Sequence, residues 1–190
     1  MLDKLLEYDK QLFVFLNGLG TESWDGFWLL VTNKLTFIPM YAVLLFVVYK
    51  KYGWKKLLVL TLVIGAMIAF TDQMTNVVKR SVLRFRPCAC EEIMESIRYI
   101  AERCSANRSF FSGHASNSMA AAVFGGLILR PYYKNLIFIL LFWAATVAYS
   151  RIYVGVHFPI DVITGMSFGA LSGYGFYKFS GLVIKRFVKA

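Results

Sequence analysis

The chain has 190 residues, 58% hydrophobic and 17% charged, against about 45–50% apolar and about 25% charged in an ordinary soluble domain. That balance excludes disordered, collagen-like, coiled-coil and small disulfide-framework classes, each of which needs a different bias. The net charge of +10 fits a nucleic-acid binder on sign alone, but a membrane protein carries the same excess in its cytoplasmic loops, so no nucleic-acid partner is expected.

The length points to one domain over 1–190, which hydrophobic spans would largely fill. Residues 1–33 form an amphipathic N-terminal segment. Leu2, Leu5, Leu6, Phe13 and Leu16 alternate with Asp3, Lys4, Glu7, Asp9 and Lys10, as in a helix lying along the membrane interface. Acids crowd its start and no small-residue cleavage site follows, unlike a secretory signal. A second amphipathic piece covers 24–33. The first span, 35–49, is short for a crossing of about 20 residues and is expected to borrow from 27–31. Further spans follow at about 57–78, 115–129, 136–149 and 159–184. The last is rich in Gly and Ser, which let helices approach closely. The expected fold is an all-α polytopic transmembrane bundle of about five to six spans with an N-terminal amphipathic interfacial helix.

The sizeable loop, 87–111, holds Glu91, Glu92, Glu95, Arg98, Glu102, Arg103 and Arg108, with a short surface helix expected around 91–103. Five crossings put both loop ends on one face, beside the end of the fourth span and the start of the fifth. The opposite face carries Lys50, Lys51, Lys55, Lys56, Arg130, Lys134, Lys178, Lys185, Arg186 and Lys189 and no acid. That density assigns it to the cytoplasm and makes the loop extracytoplasmic.

Three clusters fall on the loop face. Lys79 and Arg86 lie seven residues apart before Pro87. Alone they read rather as a snorkelling interface anchor. Ser112-Gly113-His114 precedes an apolar helix, whose N-terminus suits an anion. Alone, Ser112 is simply an N-cap. Arg151, His157 and Asp161 form the third. His157 and Asp161 are four residues apart and can meet across a first helical turn, the acid fixing the tautomer and freeing the other ring nitrogen. The chain's two His both fall in these clusters. Two imidazoles, an orienting acid and three cations describe a site for attacking a bound phosphoryl group, with cations and helix-start amides on its oxygens.

The pattern Lys-x6-Arg-Pro, Ser-Gly-His and Ser-Arg-x5-His-x3-Asp resembles the three-part signature of the type 2 phosphatidic acid phosphatase superfamily, which is related to vanadate haloperoxidases. The motifs run from Lys79 to Asp161, and the flanking helices fit the small bacterial members. The resemblance implies that His157 attacks phosphorus, Asp161 orients it, and His114 protonates the leaving oxygen and then activates water. Lys79, Arg86, Arg151, Ser112 and the Gly113 amide would hold the phosphoryl oxygens, with no metal or cofactor. The implied substrate is a membrane lipid phosphate, undecaprenyl diphosphate first. Lipid A phosphatase and phosphatidylglycerophosphate phosphatase are the alternatives. The implied location is a bacterial inner membrane, with no obligate protein partner. Phe111 stands where the family often has Pro, so an altered loop shape is expected there.

Cys88, Cys90 and Cys104 all sit in the loop. In an oxidising compartment one pair would bridge; Cys88–Cys104 is favoured, Cys90–Cys104 is close behind, and a zinc site lacks a fourth ligand. Asp72, late in the second span, is by default a functional residue, but a structural tie to Thr71, Asn76 or a neighbouring helix is favoured. An intramembrane serine protease using Ser112 and His157 leaves the cations unexplained and lacks a Gly-x-Ser-x-Gly elbow. A non-catalytic scaffold needs no complete acid–base set.

Overall fold

The computed structural model describes residues 2–101 and 103–188. Glu102 and Lys189, counted above as loop and tail charges, lie outside the described residues. Among the described residues the fold is all-α, with six helices: α1 (Leu2–Gly18), α2 (Glu22–Thr32), α3 (Ile38–Val82), α4 (Gly113–Leu129), α5 (Leu136–Tyr153) and α6 (Pro159–Phe187). Short 3-10 turns cover Lys34–Phe37, Pro87–Ala89 and Met94–Ser96.

Helix α1 is amphipathic, and two polar side chains share its inward face with Phe13. Asp9, Phe13 and Asn17 are buried, while Leu5, Leu12 and Phe15 face outward. The polar residues turn inward because their hydrogen bonds are met there. Asn17 donates to the carbonyls of Arg98, Ile152 and Tyr153 and accepts from the Arg98 N–H. A buried amide with its hydrogen bonds filled carries little desolvation cost.

The first crossing does not borrow from 27–31. Asn33 leaves the helical region (φ −79°, ψ 124°) and its side chain accepts from the Leu35 N–H, so 27–31 stays within α2. Helix α3 contains two arms, 38–52 and 54–82, separated at Gly53 with φ 76° and ψ 172°. L-residues rarely adopt that conformation. The chain doubles back there, since Val48 packs with Leu60 and Val63 in one core cluster. The Tyr52 hydroxyl donates to the Ile128 carbonyl (2.6 Å) and ties the bend to the end of α4.

Helix α4 is the axis of the bundle, packed against α3, α5 and α6. Its closest partner is α6. A Cβ at Gly165, Gly169 or Gly173 would lie within 2.6 Å of the carbonyl oxygen of Ser112, Ser116 or Ala120. The Gly content of this segment therefore serves backbone contact. Phe138, Ile139 and Phe142 of α5 and Leu171 of α6 face outward. Two stretches, Lys34–Ala89 and Leu136–Tyr153, are long and apolar enough to cross a membrane.

Among the described residues the surface helix expected at 91–103 is absent, and the loop's regular structure is two 3-10 turns. Tertiary bonds override the local tendency. The Arg98 N–H goes to Asn17, and its guanidinium takes both oxygens of Asp25 at 3.0 and 2.9 Å. A disulfide joins Cys88 to Cys104 across 16 residues, and Cys90 is free.

Gly169→Ala is expected to cost about 1–3 kcal/mol through overpacking. Gly175→Ala, where nothing lies within 4 Å of the added Cβ, is expected to cost nothing. Thermal unfolding of the two variants in detergent checks the contrast.

Candidate active site

The chain's three polar clusters are brought together by backbone contacts. Lys79 lies in the last turn of α3, which ends where the Leu83 N–H donates back to the Lys79 carbonyl (3.3 Å). Beyond it the two ends of the loop are zipped. Arg86 N–H donates to Ala106, and Ser109 N–H donates to Arg84 (2.7 and 3.0 Å). Arg86 is thereby fixed beside the start of α4. Ser112 caps α4, accepting from the Ala115 N–H at 3.4 Å. Its own N–H donates to the Asp161 carbonyl at 3.0 Å, linking the second cluster to the third. The N–H groups of Val156 and His157 both reach the Arg151 carbonyl (3.1 and 3.3 Å), which holds His157 against the end of α5.

The result is a cavity of about 710 Å³ with Lys79, Arg86, Gly113, His114, Arg151 and His157 in its lining. Both imidazoles face this one space. Ser112 and Asp161 are fully buried outside the lining. Lys34, the residue before the first expected span, also lines the cavity. Among the described residues no carboxylate forms an ion pair with Lys79, Arg86 or Arg151. The Nε groups of Arg86 and Arg151 are buried without a hydrogen-bond partner, and Arg151 is braced by a bond from its guanidinium to the Thr32 hydroxyl. Buried donors without an acceptor are costly, and converging guanidinium and ammonium groups suit a tetrahedral oxyanion.

His157 and Asp161 face each other, but not through a direct hydrogen bond. Nδ1 stands 3.6 Å from Asp161 Oδ2. The Ser109 hydroxyl lies between them, donating to Oδ2 at 2.5 Å and lying 3.4 Å from Nδ1. The Phe158 N–H also donates to Oδ2 (3.0 Å). Oδ1 takes a bond from Arg84 at 2.6 Å, and the other arm of Arg84 reaches Asp9 at 2.6 Å. Asp9 in turn accepts from the Ile160 N–H (2.9 Å). Arg84 also lies 4.3 Å over the Phe158 ring. Burial holds the His157 imidazole down to about 3, against the pull of Asp161. Its neutral form is therefore present at pH 7, as a nucleophile requires.

Sequence reasoning missed Ser109, Arg84 and Asp9. Arg84 stands inside the first cluster but had no assigned task. Asp9 shares a helical face with Phe13 and Leu16 at spacings of four and seven, the one sequence signal that it points inward. Asp72 is tied to α4, accepting from Asn117 Nδ2 at 2.7 Å, and it also lines the cavity. The Phe110–Phe111 bond is cis, and the Phe111 ring packs on Phe168 at 5.2 Å between centroids.

Removing one member of a buried ion pair strands the other charge, at about 3 kcal/mol. Asp9→Ala is expected to lose somewhat less, since Arg84 keeps Asp161, whereas the exposed Asp3→Ala is expected to lose nothing measurable. Denaturation in detergent compares the two.

A family model described as the PAP2 superfamily matches residues 54–185. A protein named lipid A 4'-phosphatase from Bacteroides thetaiotaomicron is 35% identical over 93% of this chain and 79% of its own length. One named undecaprenyl-diphosphatase from Sulfolobus acidocaldarius is 32% identical over 89% of this chain and 72% of its own. A transmembrane PAP2 type phosphatidylglycerolphosphate phosphatase from Bacillus subtilis shares the fold, with a TM-score of 0.73, 22% identity, and coverage of 97% of this chain and 89% of that one.

Proposed function

The chain belongs to the PAP2 superfamily and is a lipid phosphatase, and on that premise we propose that it removes phosphate from lipid A, an acylated amino-sugar phosphate. The observation that carries the reading is the lining of one cavity by His114, His157 and the cations Lys79, Arg86 and Arg151. The sequence leans toward undecaprenyl diphosphate. The relative of that name matches at lower identity and over less of the chain than the lipid A phosphatase does. Lipid A therefore takes first place and undecaprenyl diphosphate becomes the alternative.

The phosphate enters among Lys79, Arg86, Arg151 and the Gly113 amide, which neutralise its oxygens as charge spreads over them, while Ser112, expected there from the sequence, is buried behind them as the cap of α4. Asp161 and Ser109 face Nδ1 of His157, which leaves Nε2 as the attacking atom. Nε2 forms a bond to phosphorus while the bond from phosphorus to the sugar oxygen breaks. His114 gives its proton to that oxygen. The same imidazole then takes a proton from water, which attacks the phosphohistidine, frees inorganic phosphate and restores His157.

The proposed setting is a bacterial inner membrane. The two arms of α3 and helices α4, α5 and α6 make five crossings, and α1 lies in the interface. The loop face is extracytoplasmic, a reading supported by the Cys88–Cys104 bridge, which belongs in an oxidising compartment. The whole chain acts as one integral-membrane domain.

Purified protein in detergent is expected to release phosphate with a higher kcat/KM from lipid A than from undecaprenyl diphosphate or phosphatidylglycerophosphate, and vanadate is expected to inhibit it. His157→Ala is expected to lower turnover at least about a thousandfold while the protein still folds. With an aryl phosphate, whose leaving group needs no proton, His114→Ala is expected to accumulate the phosphoenzyme. Wild-type turnover in His157→Ala would discard the mechanism.

A further inference from the structure

The cavity extends well past the phosphate end. Its wall includes Ile128 near the far end of α4, which at 1.5 Å per residue is about 20 Å from His114. Most of the deeper wall is apolar, with Leu60, Ile64, Ile68 and Phe124 facing the space. One patch breaks it: Asp72 and Asn76 on α3 and Asn117 on α4 also line the cavity.

Asp72 is fixed there. Asn117 Nδ2 donates to its Oδ1 at 2.7 Å. The Asn117 carbonyl accepts from the Thr71 hydroxyl at 2.6 Å, so the amide is oriented from behind. Asp72 Oδ2 takes no hydrogen bond among the described residues. Asp72 precedes Lys79 by seven residues on the same arm, about 10 Å along its axis. An acid within a span that lines a cavity with one oxygen unengaged by the protein is an acceptor open to a donor on the substrate.

We propose that Asp72, oriented by Asn117, is a specificity subsite that accepts a hydrogen bond from a hydroxyl or amide N–H of the substrate, about 10 Å along α3 from Lys79. This rests on the phosphatase reading above and narrows it. A polyprenyl chain carries no such donor below its phosphates. An amino sugar bearing a hydroxyacyl amide carries both. Asp72 is exposed to the cavity, so a ligand that covers it without supplying a donor leaves the carboxylate unpaired and is disfavoured. Tying α3 to α4 would need only Oδ1, so the tie alone does not account for a carboxylate here.

Asp72→Asn separates the two roles. It keeps the oxygen that accepts from Asn117 and replaces the free acceptor with a donor. Wild type and variant are compared on a 3-hydroxyacyl-amide glucosamine phosphate and on undecaprenyl diphosphate in the same detergent. The ratio of kcat/KM for the first lipid over the second is expected to fall about tenfold or more in Asp72→Asn, mainly through KM. Two analogues tested on wild type locate the donor, one lacking the acyl hydroxyl and one with ester in place of amide; one of them is expected to lose a similar factor. An equal loss on both lipids, an unchanged ratio, or wild-type indifference to both analogues overturns the subsite. If wild type cleaves the amino-sugar phosphate in those cases, the phosphatase reading survives. If wild type cleaves neither lipid, that reading fails and the subsite with it.

Discussion

Backbone contact between α4 and α6 is the constraint on which the site depends. Helices in a bilayer gain little from hiding apolar surface, because the lipid is apolar too; close packing of small residues replaces that drive. Gly165, Gly169 and Gly173 let α6 press on the carbonyls of Ser112, Ser116 and Ala120. At the loop end of this contact the Ser112 N–H meets the Asp161 carbonyl. The start of α4, with Gly113 and His114, is thereby set beside the start of α6, with Asp161 and the preceding His157. The placement of the two imidazoles is inherited from packing several turns away.

Charge is sorted into two regions by the same arrangement. On the cavity side stand Lys79, Arg86 and Arg151, without carboxylate partners among the described residues. Behind His157 stand Asp161, Arg84 and Asp9 in alternating sign. Burying three charges in a row is expensive unless every polar atom is matched. Here both oxygens of Asp9 and both of Asp161 have donors. The cations ahead suit an anion; the chain of charges behind fixes the His157 ring. Asp9 makes the N-terminal helix part of that support, although 152 residues separate it from Asp161 in the sequence.

Much of the chemistry was legible from short-range spacing. His157 and Asp161, Lys79 and Arg86, and Ser112 to His114 sit within single turns or loops, so their partnership shows in the order of residues. The helices were legible as apolar runs, and the bend at Gly53 lay between two Lys pairs already read as a loop. What the sequence hid was long-range pairing. Asp9 resembles any solvated acid on an amphipathic helix until Arg84 and Ile160 are seen to meet it. Ser109 lies in a loop and gains meaning only when Asp161 arrives from α6. The expected loop helix failed for the same reason: Arg98 spends its N–H on Asn17 rather than on its own turn. The choice between lipid substrates came from relatives, because phosphate-binding residues look alike whatever carries the phosphate.

Trp143 gives the cavity a further property. Its ring stands in the wall, edge-on to Phe37 and Tyr41 at 5.3 and 5.9 Å between centroids, and its indole N–H meets no acceptor among the described residues. Trp24 and Trp54 point outward, and Trp28 stacks on Tyr153 behind the loop. Indole emission follows the polarity around the ring. The molecule therefore carries its own optical gauge of what fills the chamber, with no label attached.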